Sequence, residues 1–189
     1  INDQKEYFYI ENHQYSANNI ISLDISHRLE IDHIENLLNL KPPKNIIDFG
    51  SGNGRIAIPF LKKGFNVHAV DISNKSLRAL EQIYKKNKTP FWGQLSTSTK
   101  LPKNKKCDGV IGSDILHHVN INNELQNIYN TLGRGALLVI SEPNAWHLLW
   151  YLFIFLKLDW NIEKGVLHCT APQLESSLRL NKLQITLIC

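Results

Sequence analysis

No methionine occurs anywhere among the 189 residues, position 1 included, where ordinary chains carry about one to three per hundred. The absence leads to the expectation that methionine positions are missing from the chain, so that some adjacent residues are separated in the natural protein. Cysteine is scarce as well. Cys107, Cys169 and Cys189 are odd in number and far apart, which excludes a disulfide framework and gives no zinc pattern, so no metal is expected. A reduced, cytoplasmic setting is the default that follows. No apolar run approaches the roughly 20 residues needed to span a bilayer, and no secretory signal opens the chain. Charge of one sign is not concentrated either: 21 basic residues against 17 acidic ones leave a net charge of +4. The lysines fall in two loose groups, at positions 85, 86 and 88 and at 100, 103, 105 and 106. They read as a solvated helix end and a loop, whereas a nucleic-acid partner needs a denser basic face with interleaved aromatics.

What is present suits one ordinary globular fold: 43% of residues are hydrophobic and 20% charged. Periodicity predicts an amphipathic helix from Ser26 to Leu40, with Leu29, Ile34, Leu37 and Leu38 inward and Pro42-Pro43 as its stop. Short apolar runs then alternate with helical patterns. Strands are expected at Ile46–Phe49, Asn66–Val70, Phe91–Leu95, around Val110–Gly112, and at Ala136–Ser141. Helices are expected at Ile56–Lys63, from a Ser73 cap to about Lys86, and at Glu124–Leu132. Such alternation implies an α/β fold with a mostly parallel sheet and helices on both faces. Ala136–Ser141 reads as a strand covered on both faces. Ala145–Leu156 reads as a buried helix with an aromatic edge, the sharper alternative being an interfacial wall for a lipid-like ligand or peripheral membrane contact. The chain stops at Cys189 inside the apolar run Leu183–Ile188, as if a sheet were cut short.

The chemistry concentrates at Asn45-Ile-Ile-Asp-Phe-Gly-Ser-Gly-Asn-Gly-Arg55. An apolar strand ends in Asp48, and Gly50, Gly52 and Gly54 follow at alternate positions before a helix. One strand-helix unit later the next apolar run ends in Asp71, about 20 residues past the first glycine, where a carboxylate accepts from ribose hydroxyls. The dinucleotide fingerprint G-x-G-x-x-G fails because Arg55 stands at its third glycine, and no Gly-Lys-Ser/Thr follows for a phosphate loop.

D-x-G-x-G-x-G resembles the first motif of class I S-adenosylmethionine-dependent methyltransferases. The stretch Cys107-Asp108-Gly109-Val110-Ile111-Gly112-Ser113-Asp114-Ile115-Leu116-His117-His118 looks like the fourth-strand motif of the small-molecule members. The resemblance covers about Asn45 to Asn144. It implies a Rossmann-like, doubly wound sheet of the seven-stranded type, truncated at its C-terminus, with residues 1–44 as a helical cap or substrate segment and 45–189 as the cofactor-binding core. The aromatic start (Tyr7, Phe8, Tyr9, Tyr15) would help cap the site. The implied cofactor is S-adenosylmethionine, leaving as S-adenosylhomocysteine after in-line displacement by a small-molecule acceptor. Its implied contacts are Asp48, Gly50, Ser51, Gly52, Gly54, Asp71, Ile72 (against the adenine), Ser96, Ser113 and Asp114. The family often has an acid after strand three for the adenine amino group; here the region is Leu95-Ser96-Thr97-Ser98-Thr99, so a hydroxyl or a carbonyl must serve. The usual turn before strand five is shortened to Gly133-Arg134-Gly135. His117 and His118 are the candidate general bases, since imidazole titrates near neutrality. Two alternatives stay open: an RNA methyltransferase, although the Asn/Asp-Pro-Pro-aromatic signature of amino-methylating enzymes is absent after strand four, and a non-catalytic cofactor-binding or scaffold protein.

Overall fold

Asp24 begins the first helix by accepting from the His27 amide, and Asn39 ends it in the left-handed conformation, with φ 48°. This element, α1 (Ile25–Leu38), buries Ile31, Ile34 and Leu38. The computed structural model describes residues 20–180 apart from Leu23 and Asn104. Expectations about Tyr7, Phe8, Tyr9, Tyr15 and the Leu183–Ile188 run therefore lie outside the described residues. After α1 come β1 (Asn45–Phe49), α2 (Ala57–Lys62), β2 (Asn66–Val70), α3 (Asn74–Asn87), β3 (Leu95–Ser98) and β4 (Cys107–Ser113). A 3₁₀ turn at Leu116–His118 follows, then α4 (Ile121–Thr131), β5 (Leu132–Ser141), α5 (Leu148–Lys157), α6 (Trp160–Glu163), a second 3₁₀ turn at Lys164–His168, and α7 (Ala171–Leu180).

The strands form one sheet in the order β3-β2-β1-β4-β5, with β1 parallel to both β2 and β4, and β2 parallel to β3. The α/β expectation holds. Five strands make the sheet among the described residues, against the seven-stranded type expected. The order doubles back at β1, so the crevice beyond its C-terminal end is the place where an open α/β sheet binds a ligand.

By its contacts the chain divides into two units: residues 1–113 with 131–140, and residues 114–130 with 141–189. In the first, Ile31, Ile34 and Leu38 of α1 share one core with Ile46, Ile58, Phe60, Phe65, Leu77, Leu80 and Ile111. Each such side chain, fully buried, contributes about 1.5–3 kcal/mol. Residues on both sides of position 44 share this cluster, α1 with β1 and α2.

Several local expectations are corrected. Leu29 faces solvent at 65% exposure, because the inward stripe of α1 runs through Ile31, Ile34 and Leu38. β3 begins at Leu95 where a strand from Phe91 was expected. Trp92 instead lies 6.1 Å from the Tyr84 ring, and Gly93 passes so close to the Phe65 carbonyl that an added Cβ would sit 1.7 Å from it. The Gly133-Arg134-Gly135 turn is extended chain at the start of β5, which follows α4 directly. Among the described residues β5 is the last strand in the sheet order and is mostly half-exposed, with Leu137 at 44%, so within them it stands at the edge rather than doubly covered. α5 is also far from buried: among its residues Ile154 is enclosed, while Leu148 and Phe155 are each 82% exposed. Continuous apolar sequence was read as burial, and in both segments the described residues leave one side uncovered. No helix of the described residues is long and apolar enough to cross a membrane.

Candidate active site

At the C-terminal end of β1 the backbone turns sharply. Gly50, Gly52 and Gly54 adopt φ of 77°, 51° and 94°, a region that side chains disfavour. Gly54 has a second constraint: an added Cβ would lie 2.3 Å from Leu80 Cδ1, so the glycine lets the turn rest on α3. The amides of Gly50 and Ser51 both donate to the Val70 carbonyl, at 2.8 and 3.0 Å, which ties the turn to the end of β2. Asp71 completes the tie. Its Oδ2 accepts from the Gly52 amide and its Oδ1 from the Ser73 amide, both at 2.8 Å. A carboxylate offers about four acceptor positions. Two amides therefore orient Asp71 and leave acceptor capacity for a diol. Burial raises its pKa above the ordinary carboxylate value, opposed by those two amide bonds. Ile72 follows with 48% exposure, an apolar surface beside the carboxylate.

Asp48 lies beneath the turn, 1% exposed, and burial pushes its pKa up to about 7 despite the nearby Arg55 charge. Its Oδ2, like Ser51 Oγ, is buried without a hydrogen-bond partner among the described residues. Two unsatisfied polar atoms at a strained glycine turn mark a place built for a polar ligand, since an unmade buried hydrogen bond costs about 1–3 kcal/mol. The unfolded chain ionises Asp48 near 3.8, whereas the folded chain keeps the proton until about 7. Stability from this residue is therefore full below pH 4 and declines as pH rises through 7. Asp48→Asn removes the ionisation, so its urea midpoint relative to wild type is expected to rise from pH 5 to pH 8.

Ser113, at the end of β4, is held in a network that the sequence did not disclose. Its hydroxyl donates to Glu30 Oε1 (2.5 Å) and receives Arg55 Nη2 (2.7 Å), while Arg55 Nη1 pairs with Glu30 Oε2 at 2.6 Å. In sequence Arg55 is only the residue that breaks the dinucleotide fingerprint, and Glu30 reads as one more polar position of α1. Ser96 is corrected. Its Oγ lies 2.7 Å from His68 Nδ1, on the second of four β3 residues, where it lines a groove of about 200 Å³ with Asn45, Gln94 and Lys105. It faces His68 rather than extending past the end of the strand.

The second unit contains the remaining expected residues. Asp114 has a positive φ of 54°, and its amide donates to the Ser141 carbonyl at 2.9 Å. His117 is 7% exposed and lies between two glutamates, with Nδ1 2.6 Å from Glu142 Oε2 and Nε2 3.3 Å from Glu163 Oε2. Burial opposes its charge, but hydrogen bonds and charge from the two carboxylates raise its pKa to about 9. His118 lies with its ring centroid 3.8 Å away; burial, then the neighbouring His117, lowers its pKa to about 4. At neutral pH the pair is one charged ring and one neutral ring. Glu142 and Glu163 were not among the expected site residues, and α6 carries no pattern that singles out Glu163.

With this geometry in view, the relatives can be set beside it. Residues 24–179 match the family described as "Methyltransferase domain". The chain therefore belongs to the methyltransferase domain family, of the S-adenosylmethionine-dependent class I type. It is 28% identical over 122 residues to a protein named ubiquinone biosynthesis O-methyltransferase from Rickettsia conorii, a match covering 64% of this chain and 42% of the relative. It is 33% identical over 107 residues to the protein of the same name from Pelagibacter ubique, covering 55% of this chain and 45% of that one. The chain thus spans less than half the length of these curated relatives. Among solved structures, the cyclopropane synthase MmaA2 from Mycobacterium tuberculosis is similar in fold, with a TM-score of 0.66 at 15% identity over 84% of this chain and 61% of that one. YcgJ from Bacillus subtilis gives a TM-score of 0.66 at 13% identity, covering 84% and 69%.

Proposed function

We propose that the chain binds S-adenosylmethionine across the glycine turn and directs its methyl group to a small, apolar acceptor bearing a hydroxyl. The observation behind the cofactor reading is Asp71: two amides fix its carboxylate, acceptor capacity remains, and it adjoins a turn carrying two unsatisfied polar atoms. In this reading Asp71 accepts from both ribose hydroxyls and Ile72 lies against the adenine. Gly50, Ser51, Gly52 and Gly54 let the backbone approach the amino-acid end, where Asp48 Oδ2 and Ser51 Oγ offer polar partners. Ser113, steadied by Glu30 and Arg55, stands at the end of β4 in the same unit. Ser96 is left out because its hydroxyl is directed at His68.

When bound, the cofactor supplies a sulfonium methyl that is already electrophilic, so the work left to the protein is alignment and exclusion of water. Alignment alone can be worth about 7–11 kcal/mol. The histidines fit the role of general base less well than the sequence suggested. His117 keeps its proton to about pH 9, and His118 holds a proton only below about pH 4. An acceptor hydroxyl that loses its proton late in the attack suits such a pair.

Support for a hydroxyl on an apolar ring comes from the printed names of the Rickettsia and Pelagibacter relatives, and support for an apolar acceptor from the exposed leucines and aromatics of α5. The test is transfer of labelled methyl from S-adenosylmethionine to catechol-type phenols with apolar tails, to small amines and to RNA. Label on the phenol oxygen is expected. Label on RNA alone, or none on any acceptor despite bound cofactor, would overturn the assignment of acceptor or of turnover respectively.

A further inference from the structure

We infer that the second unit holds a divalent metal ion, with His117, His118 and Glu163 as its ligands and Glu142 as the outer carboxylate that orients His117. Cysteine spacing gave no hint of such a site; the histidines and a glutamate brought in by α6 compose it. One ligand atom from each of the three residues lies within 4.8 Å of the others. The distances around His117 are unequal in an informative way. Its Nδ1 is 2.6 Å from Glu142 Oε2, a charge-assisted hydrogen bond, whereas Nε2 is 3.3 Å from Glu163 Oε2. Charge-assisted N–H···O bonds close to about 2.7–2.9 Å. A tetrahedral ion at about 2.0–2.1 Å from its ligands instead spaces them roughly 3.3–3.5 Å apart. Nε2 and the Glu163 carboxylate already stand at that spacing, and a ring nitrogen of His118 lies within 4.8 Å of both.

The surroundings are those of a built site. A metal-bound histidine almost always gives its other N–H to a carboxylate, which fixes its tautomer and ring plane. Glu142 Oε2 takes that N–H, and Glu142 Oε1 in turn accepts from the amides of Ile115 and Leu116 at 2.8 and 2.5 Å. The side chains of His117, Glu142 and Glu163 are 2%, 6% and 5% exposed. Glu163 reaches the histidines because Asp159 caps α6 and because Gly165 lets the following turn lie on the His117 carbonyl, where a Cβ would fall 1.8 Å from that oxygen. Two imidazoles and one carboxylate suit zinc or another borderline divalent cation. Three protein ligands leave a fourth position for an oxygen ligand such as water or an acceptor hydroxyl.

The test uses the tag-free chain, stripped with chelator and then dialysed against zinc alone or cobalt alone. One equivalent of zinc per chain is expected by elemental analysis, with visible bands of four-coordinate cobalt in the cobalt form. Glu163→Gln is expected to weaken zinc affinity at least tenfold, and Glu142→Gln by about 10–100-fold, as outer-shell losses do. Cofactor titration is run on the same samples, so a failure of the metal site is distinguishable from a failure of the cofactor reading. Wild-type chain that retains less than a tenth of an equivalent would overturn the proposal, as would cobalt bands unchanged in Glu163→Gln. Should that variant misfold by circular dichroism, the wild-type stoichiometry and cobalt spectrum decide alone.

Discussion

Asp71→Ala is expected to weaken S-adenosylmethionine binding about a hundredfold or more. A carboxylate accepting from two ribose hydroxyls makes two charge-assisted hydrogen bonds, each worth about 1.5–3 kcal/mol. Their loss is read by calorimetry as a shift of two or more decades in Kd. The same residue also holds the turn: its two oxygens accept from Gly52 and Ser73, and alanine strips both amides of their partner. A fall in Tm is therefore expected alongside the affinity loss. Asp71→Asn keeps one acceptor oxygen for the turn, sets its NH2 against the other backbone amide and loses the charge that faces the diol. Its Tm should fall by less than that of Asp71→Ala, while its Kd rises by about tenfold or more. Equal cofactor affinity in wild type, Asp71→Asn and Asp71→Ala would remove the ribose contact from the account.

Glu142→Ala is expected to be the most destabilising single change in the second unit. Glu142 neutralises His117 and accepts from two backbone amides, all in a buried setting. Removing one partner of a buried pair costs about 3–5 kcal/mol, because the other charge stays behind. For a chain of this size that corresponds to a fall in Tm of roughly 10 °C. The effect depends on pH in a direction the His117 shift dictates. Its pKa is raised from 6.5 to about 9, so the stabilisation is complete below pH 6.5 and is lost as pH rises through 9. With chelator present, the gap between wild type and Glu142→Ala should be widest near pH 6 and narrow toward pH 10. A gap that widens with alkali would mean that His117 is neutral in the folded chain.

The parts of the site that were legible in sequence are local. The glycine turn, Asp48 and Asp71 stand out because alternate glycines between a strand and a helix have few other uses, and because a carboxylate at a strand end can be located by counting. The helix cap at Ser73 was legible for the same reason. Glu30 was not, since it meets Ser113 across 83 positions of sequence and nothing in α1 separates it from other solvent-facing acids. Glu163 was hidden likewise: what brings it to His117 is a short capped helix and a glycine without room for a Cβ. The apolar stretches misled in the opposite sense. Hydrophobic runs report what a segment can bury, and β5 and α5 show the described residues leaving part of that capacity unused. The place of Ser96 was hidden by register, because β3 starts at Leu95, four residues later than Phe91, and sets that hydroxyl beside His68.

Isothermal titration of S-adenosylmethionine into the chain is the most direct measurement. One equivalent should bind, S-adenosylhomocysteine should compete for the same site, and a dinucleotide should give no heat because the turn lacks the third glycine that seats a pyrophosphate. Absence of heat with the sulfonium cofactor, or its displacement by a phosphate-bearing nucleotide, would contradict the account.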